Sequence, residues 1–481
     1  MRRAKHSLSH YKLLTCDMGK LIPVGVYEVL PGDSIQQSTS SLIRVSPLVA
    51  PVMHPISVRI HHWYVPHRIV WPGWEDFITG GPDGLGGSAG AYPAANITPV
   101  KGDLADYFGL PVGVASDASL LPFRAYAKIF NEFYRDQDLV AEILEDQTAV
   151  QNIAWEKDQY TSARPWPQKG PDVSMPLGVD APVVPLPATS GQPLFTNIGG
   201  TFQSPPVASV GLNQMQWTGN APATEPMYWA SSGLKADLSN ASAVNVNDVR
   251  RAFALQRYQE ARAMYGSRYT EYLRYLGVRS SDARLQRPEY LGGGKQVISF
   301  SEVLQTGPDT EDLGVADLKG HGIAAMRSRR WRHFFEEHGH VMTLLSVRPR
   351  TMYTEGLHRS WSRRTKEDYW QRELELIGQQ EIFTKEIYGA APADQVFGFN
   401  DRYNEYRHLP SSVAGDFRDT LNYWHLARSF GAAPVLNQSF VECDSSKRIH
   451  AVQTEHVLWI MANNNIQARR MVGRPTIPRI F

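Results

Sequence analysis

Polar and apolar residues alternate over residues 56–65, with Ile56, Val58 and Ile60 on one side and Ser57, Arg59 and His61 on the other. That period of two predicts a half-buried strand. Residues 21–29, from Leu21 to Val29, are strand-like as well. Leu30-Pro31-Gly32-Asp33 closes them, with Pro and Gly at the positions that favour a type II turn. Residues 340–348 and 457–461 are nearly continuous in apolar character, and both predict strands buried on two faces.

The period changes over residues 121–145. Leu121-Pro122 opens a helix, and Tyr126, Ile129, Phe130, Phe133 and Tyr134 follow at helical spacing. This aromatic stripe needs a sheet or a neighbouring subunit to cover it. Asn247-Asp248 supplies an N-cap for a second helix over 249–276, with Gly266 as a break and Gly277 as its stop. Residues 79–99 are Gly-rich and read as a flexible loop. Residues 1–20 carry Arg2, Arg3, Lys5 and Lys12 without clean periodicity, and read as a basic arm.

Residues 165–245 are nearly free of charge and rich in Pro, Gly, Ala, Ser, Thr and Val. A disordered linker is normally more charged. Phe195, Phe202, Trp217, Tyr228 and Trp229 lie here and need something to pack on. The segment reads as a protruding insertion of short strands and loops, bounded at about 171–245. Strand signals are scattered from end to end, so a single β domain over 21–481 with excursions explains the chain better than domains in series. The fold class expected is mainly β.

The 481 residues hold 49 Lys plus Arg against 48 Asp plus Glu, a net charge of +1. A coat that neutralises a nucleic acid by itself would be more basic, so any such role rests on local patches or on a separate basic partner. Two cysteines, Cys16 and Cys443, exclude a disulfide framework and suit a reducing compartment. No apolar run approaches the ~18 residues of a membrane span.

Motifs for chemistry are weak. Gly86-Gly87-Ser88-Ala89-Gly90 matches a nucleophile elbow but lacks the strand before and the helix after. His333 to His340 looks like a metal cluster yet fits no zinc spacing, and polar residues entering a buried strand explain it better. His61 and His62 are adjacent on a strand and point to opposite faces. Gly292-Gly293-Gly294-Lys295 lacks P-loop spacing and reads as a turn. No nucleophile, base and orienter assemble, so neither a catalytic residue nor a metal or cofactor site is expected. Four basic clusters occur: Arg2-Arg3-Lys5; Arg327, Arg329, Arg330 and Arg332; Arg359, Arg363, Arg364 and Lys366; and Arg469, Arg470, Arg474 and Arg479. Phosphate contact and interface ion pairs compete for the terminal clusters, and ion pairing is favoured for the middle two.

Some long strings are individual enough to carry a resemblance. They include Tyr64 to Trp71, Leu121 to Tyr126 with Asn131 to Gln137, Thr161 to Gly170, Arg268 to Glu271, Asp282 to Gly293, and Val396 to Phe399 with Glu405 to Arg407. Their sequence and order resemble the major capsid proteins of microviruses, the gokushovirus-like branch most closely.

The resemblance implies an eight-stranded viral jelly roll with long loop and helical insertions. It implies that sixty copies, by way of pentamers, close a T=1 shell around a circular single-stranded DNA genome. The virion would be built in the bacterial host cytoplasm. It also implies partners: a small basic DNA-packaging protein, a DNA pilot protein, an internal scaffolding protein and a host surface receptor, with no membrane. Arg2, Arg3, Lys5, Arg469, Arg470, Arg474 and Arg479 are then expected to face the interior, and the insertion to protrude, with a part in host attachment. The competing reading is a non-viral jelly-roll protein, glycan-binding or cupin-like, acting as a small oligomer.

Overall fold

The computed structural model describes residues 3–82, 87–173, 246–265, 268–279, 281–304 and 318–472, with short strands at 183–185, 194–196, 202–203, 228–231 and 234–236. The strand signals resolve into eight strands in chain order: β1 (His10–Cys16), β2 (Leu21–Val29), β3 (Ser34–Val45), β4 (Ile56–Pro66), β5 (Glu289–Val297), β6 (Leu318–Arg327), β7 (Gly339–Pro349) and β8 (Leu458–Arg470). One sheet runs β1-β8-β3-β6 and the other β2-β7-β4-β5, all antiparallel. That is a jelly roll. Ala4–Ser7 on β8, Trp331–Phe334 on β3 and Ser299–Leu304 on β6 widen the first sheet to seven strands.

Two expectations change here. Residues 4–16 are not an arm without periodicity but paired strand, and β1 is the first strand of the roll. Its pattern is inverted, which hides it. Tyr11 and Leu13 are exposed, while Lys12 turns inward and donates to the carbonyls of Pro23 and Tyr107. The second change is residues 457–461, which are half-buried. Leu458 and Ile460 face the core, but Trp459 and Met461 are 44% and 40% exposed because none of the described residues covers that face. Strands 21–29, 56–65 and 340–348 match, and the last is buried on both faces. The turn after β2 has Gly32 at φ +85° and Asp33 N–H donating to Leu30 O at 3.0 Å.

The core between the sheets is split. Ile22, Val24, Ile43, Val58, Ile60, Leu345, Val347 and Ile460 fill one end. Val29, Ile35, Tyr64, Phe335, Val341 and Ile466 fill the other. A fully enclosed polar belt of Gln37, Thr39, His62, Ser328, Thr343 and Asn464 separates them. Gln37 Nε2 to Thr343 Oγ1 at 3.1 Å and Asn464 Nδ2 to Val24 O at 2.9 Å cross the sandwich, and Thr39 Oγ1 to Asn464 Oδ1 at 2.7 Å ties neighbouring strands of the first sheet. Satisfied belts of this kind fix strand register, because a slip of one residue strands every partner.

The long connections between β4 and β5 and between β7 and β8 carry the remaining elements. Helix α1 (Leu121–Ile129) lies on the outer face of the second sheet. Phe123, Tyr126, Ile129 and Phe130 are buried there with Leu21, Trp63, Val65, Met342 and Leu344. Each such side chain contributes about 1.5–3 kcal/mol. So the sheet that the aromatic stripe required belongs to the same chain. The helix does not reach residue 145. It widens into a π turn over Phe130–Tyr134 and stops at Arg135, whose backbone is extended. Asn131 then holds the returning chain by two 3.0 Å bonds to the backbone of Ile143.

The chain divides into two compact units, residues 1–169 with 260–481, and residues 170–259. In the smaller one, Leu194–Thr196 pairs with Phe202–Gln203 and with Tyr228–Ser231, and Leu234–Ala236 pairs with Val183–Pro185. The helix expected over 249–276 is two helices, Val246–Tyr265 and Tyr269–Tyr275, and Gly266 lies outside the described residues. Asn247 and Asp248 fall inside the first turn rather than capping it. Gly277, at φ +79°, ends the second helix, with Val278 N–H reaching back to Leu273 O at 2.8 Å. The Gly-rich loop over 79–99 contains a strand, Ala94–Ile97, paired with Ser116–Ser119.

Candidate nucleic-acid and assembly interface

The two outer faces of the sandwich differ. Helix α1 and its neighbours bury the second sheet, but the first sheet shows an open face. Alternation places successive rows of side chains on it. One row is Thr15, Trp459, Arg44, Ile323 and Ser299; the next is Leu13, Met461, Leu42 and Ala325. Tyr11, Asn463, Ser40 and Arg327 follow. The last two rows are Ser7, Gln467, Gln36 and Arg332, then Lys5, Arg469, Ser34 and Phe334. Among the described residues, no Asp or Glu takes an outward position on these strands, whereas Lys5, Arg44, Lys319, Arg327, Arg332 and Arg469 do. Glu302 on the edge strand has the parity of Phe300 and is exposed, and Asp106 lines the first hollow together with Lys12 and Lys101.

Two hollows of about 570 and 660 Å³ open on this face and share Arg44 and Trp459 in their walls. The first adds Leu13, Lys101, His456 and Met461; the second adds Lys319, His321 and Ile323. Their size falls in the range of about 300–1,000 Å³ common to ligand clefts. His456 Nδ1 is 3.0 Å from Thr15 Oγ1, which fixes the ring at the edge of the first hollow.

Of the basic residues singled out from the sequence, the structure brings Arg3, Lys5, Arg469 and Arg470 to one end of this sheet. Lys5 and Arg469 are directly opposite and exposed. Arg3 lies over the Phe334 ring at 5.0 Å. Arg470 points the other way: its Nε is 2.9 Å from Asp33 Oδ2, and its Nη2 donates to Glu28 O at 2.6 Å. Arg2, Arg474 and Arg479 lie outside the described residues, as does Trp217. Phe195 takes the central strand of the three-stranded sheet, in register with Gln203 and Trp229; Phe202 and Tyr228 are both in register with Thr196.

A family model described as capsid protein (F protein) matches residues 1–475. The chain belongs to that capsid family. It is similar to capsid protein VP1 of Bdellovibrio phage phiMH2K, at 35% identity over 92% of this chain and 88% of that protein. Capsid protein VP1 of Chlamydia phage 1 is 32% identical over 92% and 90%. Capsid protein VP1 of Spiroplasma virus 4 is 30% identical over 92% and 88%. A capsid chain of this family is a virion component that assembles with itself into a shell.

The other motif residues of this capsid chain have structural surroundings. Ser88 sits exposed in one 3-10 turn, Gly87–Ala89. His333 and His340 fall on different strands, and no three-residue metal-ligand cluster occurs among the described residues. His61 and His62 diverge as expected: His61 Nδ1 is 2.6 Å from Tyr134 Oη, while His62 enters the belt. Gly292 to Lys295 is not a turn but part of β5. Gly292, at φ +144°, accommodates a bulge, and a Cβ on Gly293 would stand 2.2 Å from Ile60 O. Arg359 and Arg363 are ion-paired inside the chain, to Glu386 at 3.3 Å and Glu405 at 3.4 Å. Burial raises Glu386 to about 7 despite Arg359. No described helix is long and apolar enough to cross a membrane.

Sequence reasoning missed the residues that make the open face distinctive. Arg44 and Lys319 stand alone in their segments, and Trp459 looked like core. The one signal was the absence of acids at alternate positions, which can be read only once the strand register is known.

Proposed function

We propose that this chain is the major capsid protein of a small single-stranded-DNA phage, sixty copies closing a T=1 shell around a circular genome. The observation that carries the reading is the match of the capsid family over residues 1–475 to a chain folded as a jelly roll. Its net charge of +1 lets copies approach without strong mutual repulsion. It also leaves most genome charge to counterions or to a small basic packaging protein. Lys5 and Arg469, with Arg2, Arg3, Arg474 and Arg479, face the interior. A DNA pilot protein and an internal scaffolding protein complete assembly in the host cytoplasm. The 171–245 insertion protrudes and meets the host receptor.

Sedimentation velocity of the protein from expressing cells, with and without the other virion proteins, tests the shell. Pentamers of five 54.0 kDa chains, or shell-sized particles, support it. A strict monomer under both conditions overturns it. Replacing residues 171–245 by a short linker separates the roles: shells should form and host adsorption should fail.

A further inference from the structure

We propose that the open face of the first sheet binds single-stranded nucleic acid, with the half-exposed indole of Trp459 as the platform on which a base stacks. The inference rests on the shell reading for its occupant, the genome, but its residues are argued from the face itself.

Three observations converge. The first is charge. Lys5, Arg44, Arg327, Arg332 and Arg469 stand outward, and among the described residues none of the outward strand positions is acidic, in a chain whose overall charge is close to balanced. The cations are therefore segregated, and a polyanion is the complementary occupant. A basic protein, or the same face of a second copy, would meet like charge. The second is the aromatic group. Trp459 is 44% exposed between two hollows, with Arg44 in register on the neighbouring strand. An indole with open space beside it and a guanidinium next to it is how sequence-tolerant single-strand surfaces combine stacking with phosphate contact. The third is the polar lining. Beyond the apolar row of Leu13, Met461 and Leu42, the polar Gln36, Ser40, Asn463, Asn465 and Gln467 line the face up to the Lys5–Arg469 pair. Hydroxyls and amides can meet sugar, phosphate or base edges without adding charge. The strands themselves supply the path. At ~3.3 Å per residue, the ten positions from Trp459 to Arg469 span about 33 Å, room for several nucleotides.

Binding of the full-length protein to labelled (dT)20, and to an abasic 20-mer of the same charge, tests the inference at several salt concentrations. Wild type should bind both, more weakly as salt rises. Trp459→Ala should weaken (dT)20 by roughly 5- to 100-fold and leave the abasic strand unchanged. Arg44→Gln with Arg327→Gln should weaken both strands and flatten the log–log salt slope by about 1.4. Trp361, 72% exposed on a different part of the chain, is the control, and Trp361→Ala should change neither. Unchanged (dT)20 binding by Trp459→Ala, or an equal loss in Trp361→Ala, overturns the inference. An unaltered denaturation midpoint in each variant confirms that folding is intact. The two readings fail separately. Wild type that forms shells but binds no oligonucleotide defeats this inference alone. Wild type that binds with the Trp459 dependence but forms no shell defeats the shell reading alone.

Discussion

His62 and Thr343 face each other on β4 and β7, and His62 Nδ1 meets Thr343 Oγ1 at 2.9 Å while Nε2 meets Ser328 Oγ at 3.0 Å. One ring therefore joins the two sheets, since Ser328 also accepts from Thr39 N–H of β3 at 2.8 Å. Thr343→Val keeps the shape and removes the hydroxyl. It leaves the His62 ring nitrogen and Gln37 Nε2 without that partner in a sealed layer, at a cost of about 1–3 kcal/mol. The urea midpoint of the purified subunit should fall accordingly. An unchanged midpoint would show that the belt does not stabilise the fold.

Acid should loosen the same fold. Burial holds His62 and His340 down at about 3, and His54, His61 and His450 at about 4; Arg59 and Arg348 add to the effect at His61. An unfolded histidine titrates near 6.5. Between that value and the folded one, the unfolded state binds more protons, so stability falls as pH falls. Each group contributes a slope of about 1.4 kcal/mol per pH unit within its window. Glu386, raised to about 7, and Glu289, raised by burial, act in the opposite sense, but they are two groups against five. The denaturation midpoint should therefore drop clearly from pH 7.5 to pH 5.5. A flat profile would mean that these rings gain solvent or partners on protonation.

Gly293 marks a close approach rather than a turn. Its position lies against Ile60 O and the Tyr290 hydroxyl, and the backbone oxygen cannot move without breaking the β4–β5 ladder. Gly293→Ala should sharply reduce soluble protein, while Gly87→Ala, with nothing within 4 Å, should be neutral. Comparing soluble yield and thermal midpoint checks both. Equal behaviour would place the strain elsewhere.

The sequence disclosed strands whose polarity agrees with their burial, and concealed those where it does not. β7 is apolar and buried throughout, so pattern and structure coincide. β1 presents Tyr11 and Leu13 to solvent and turns Lys12 inward, so alternation pointed nowhere. Gln37, Thr39 and Asn464 look like surface residues and are enclosed, because their partners lie on strands about 300 to 425 residues away. Trp459 looks like core and is half-exposed, because none of the described residues covers its face of the sheet. The interface was therefore legible only at its charged end, Lys5 and Arg469, where terminal basic clusters show in one dimension.

Neighbouring arginines on β8 should behave differently when removed. Arg469 is exposed and lies opposite Lys5, so Arg469→Ala should change stability by no more than about 0.5 kcal/mol. Arg470 is the cation beside Asp33, which is fully buried and also accepts from Leu30 N–H at 3.0 Å. Arg470→Ala strands that carboxylate in the interior, and losing one partner of a buried pair costs about 3–5 kcal/mol. Asp33→Asn should recover part of the loss in the double variant, because it removes the unpaired charge. Packaging in shells built from each variant then separates DNA contact from folding. Arg469→Ala should reduce encapsidated DNA at normal subunit yield, whereas Arg470→Ala should reduce the yield of subunits itself. Normal packaging by Arg469→Ala together with Lys5→Ala would remove this end of the sheet from the DNA-facing surface.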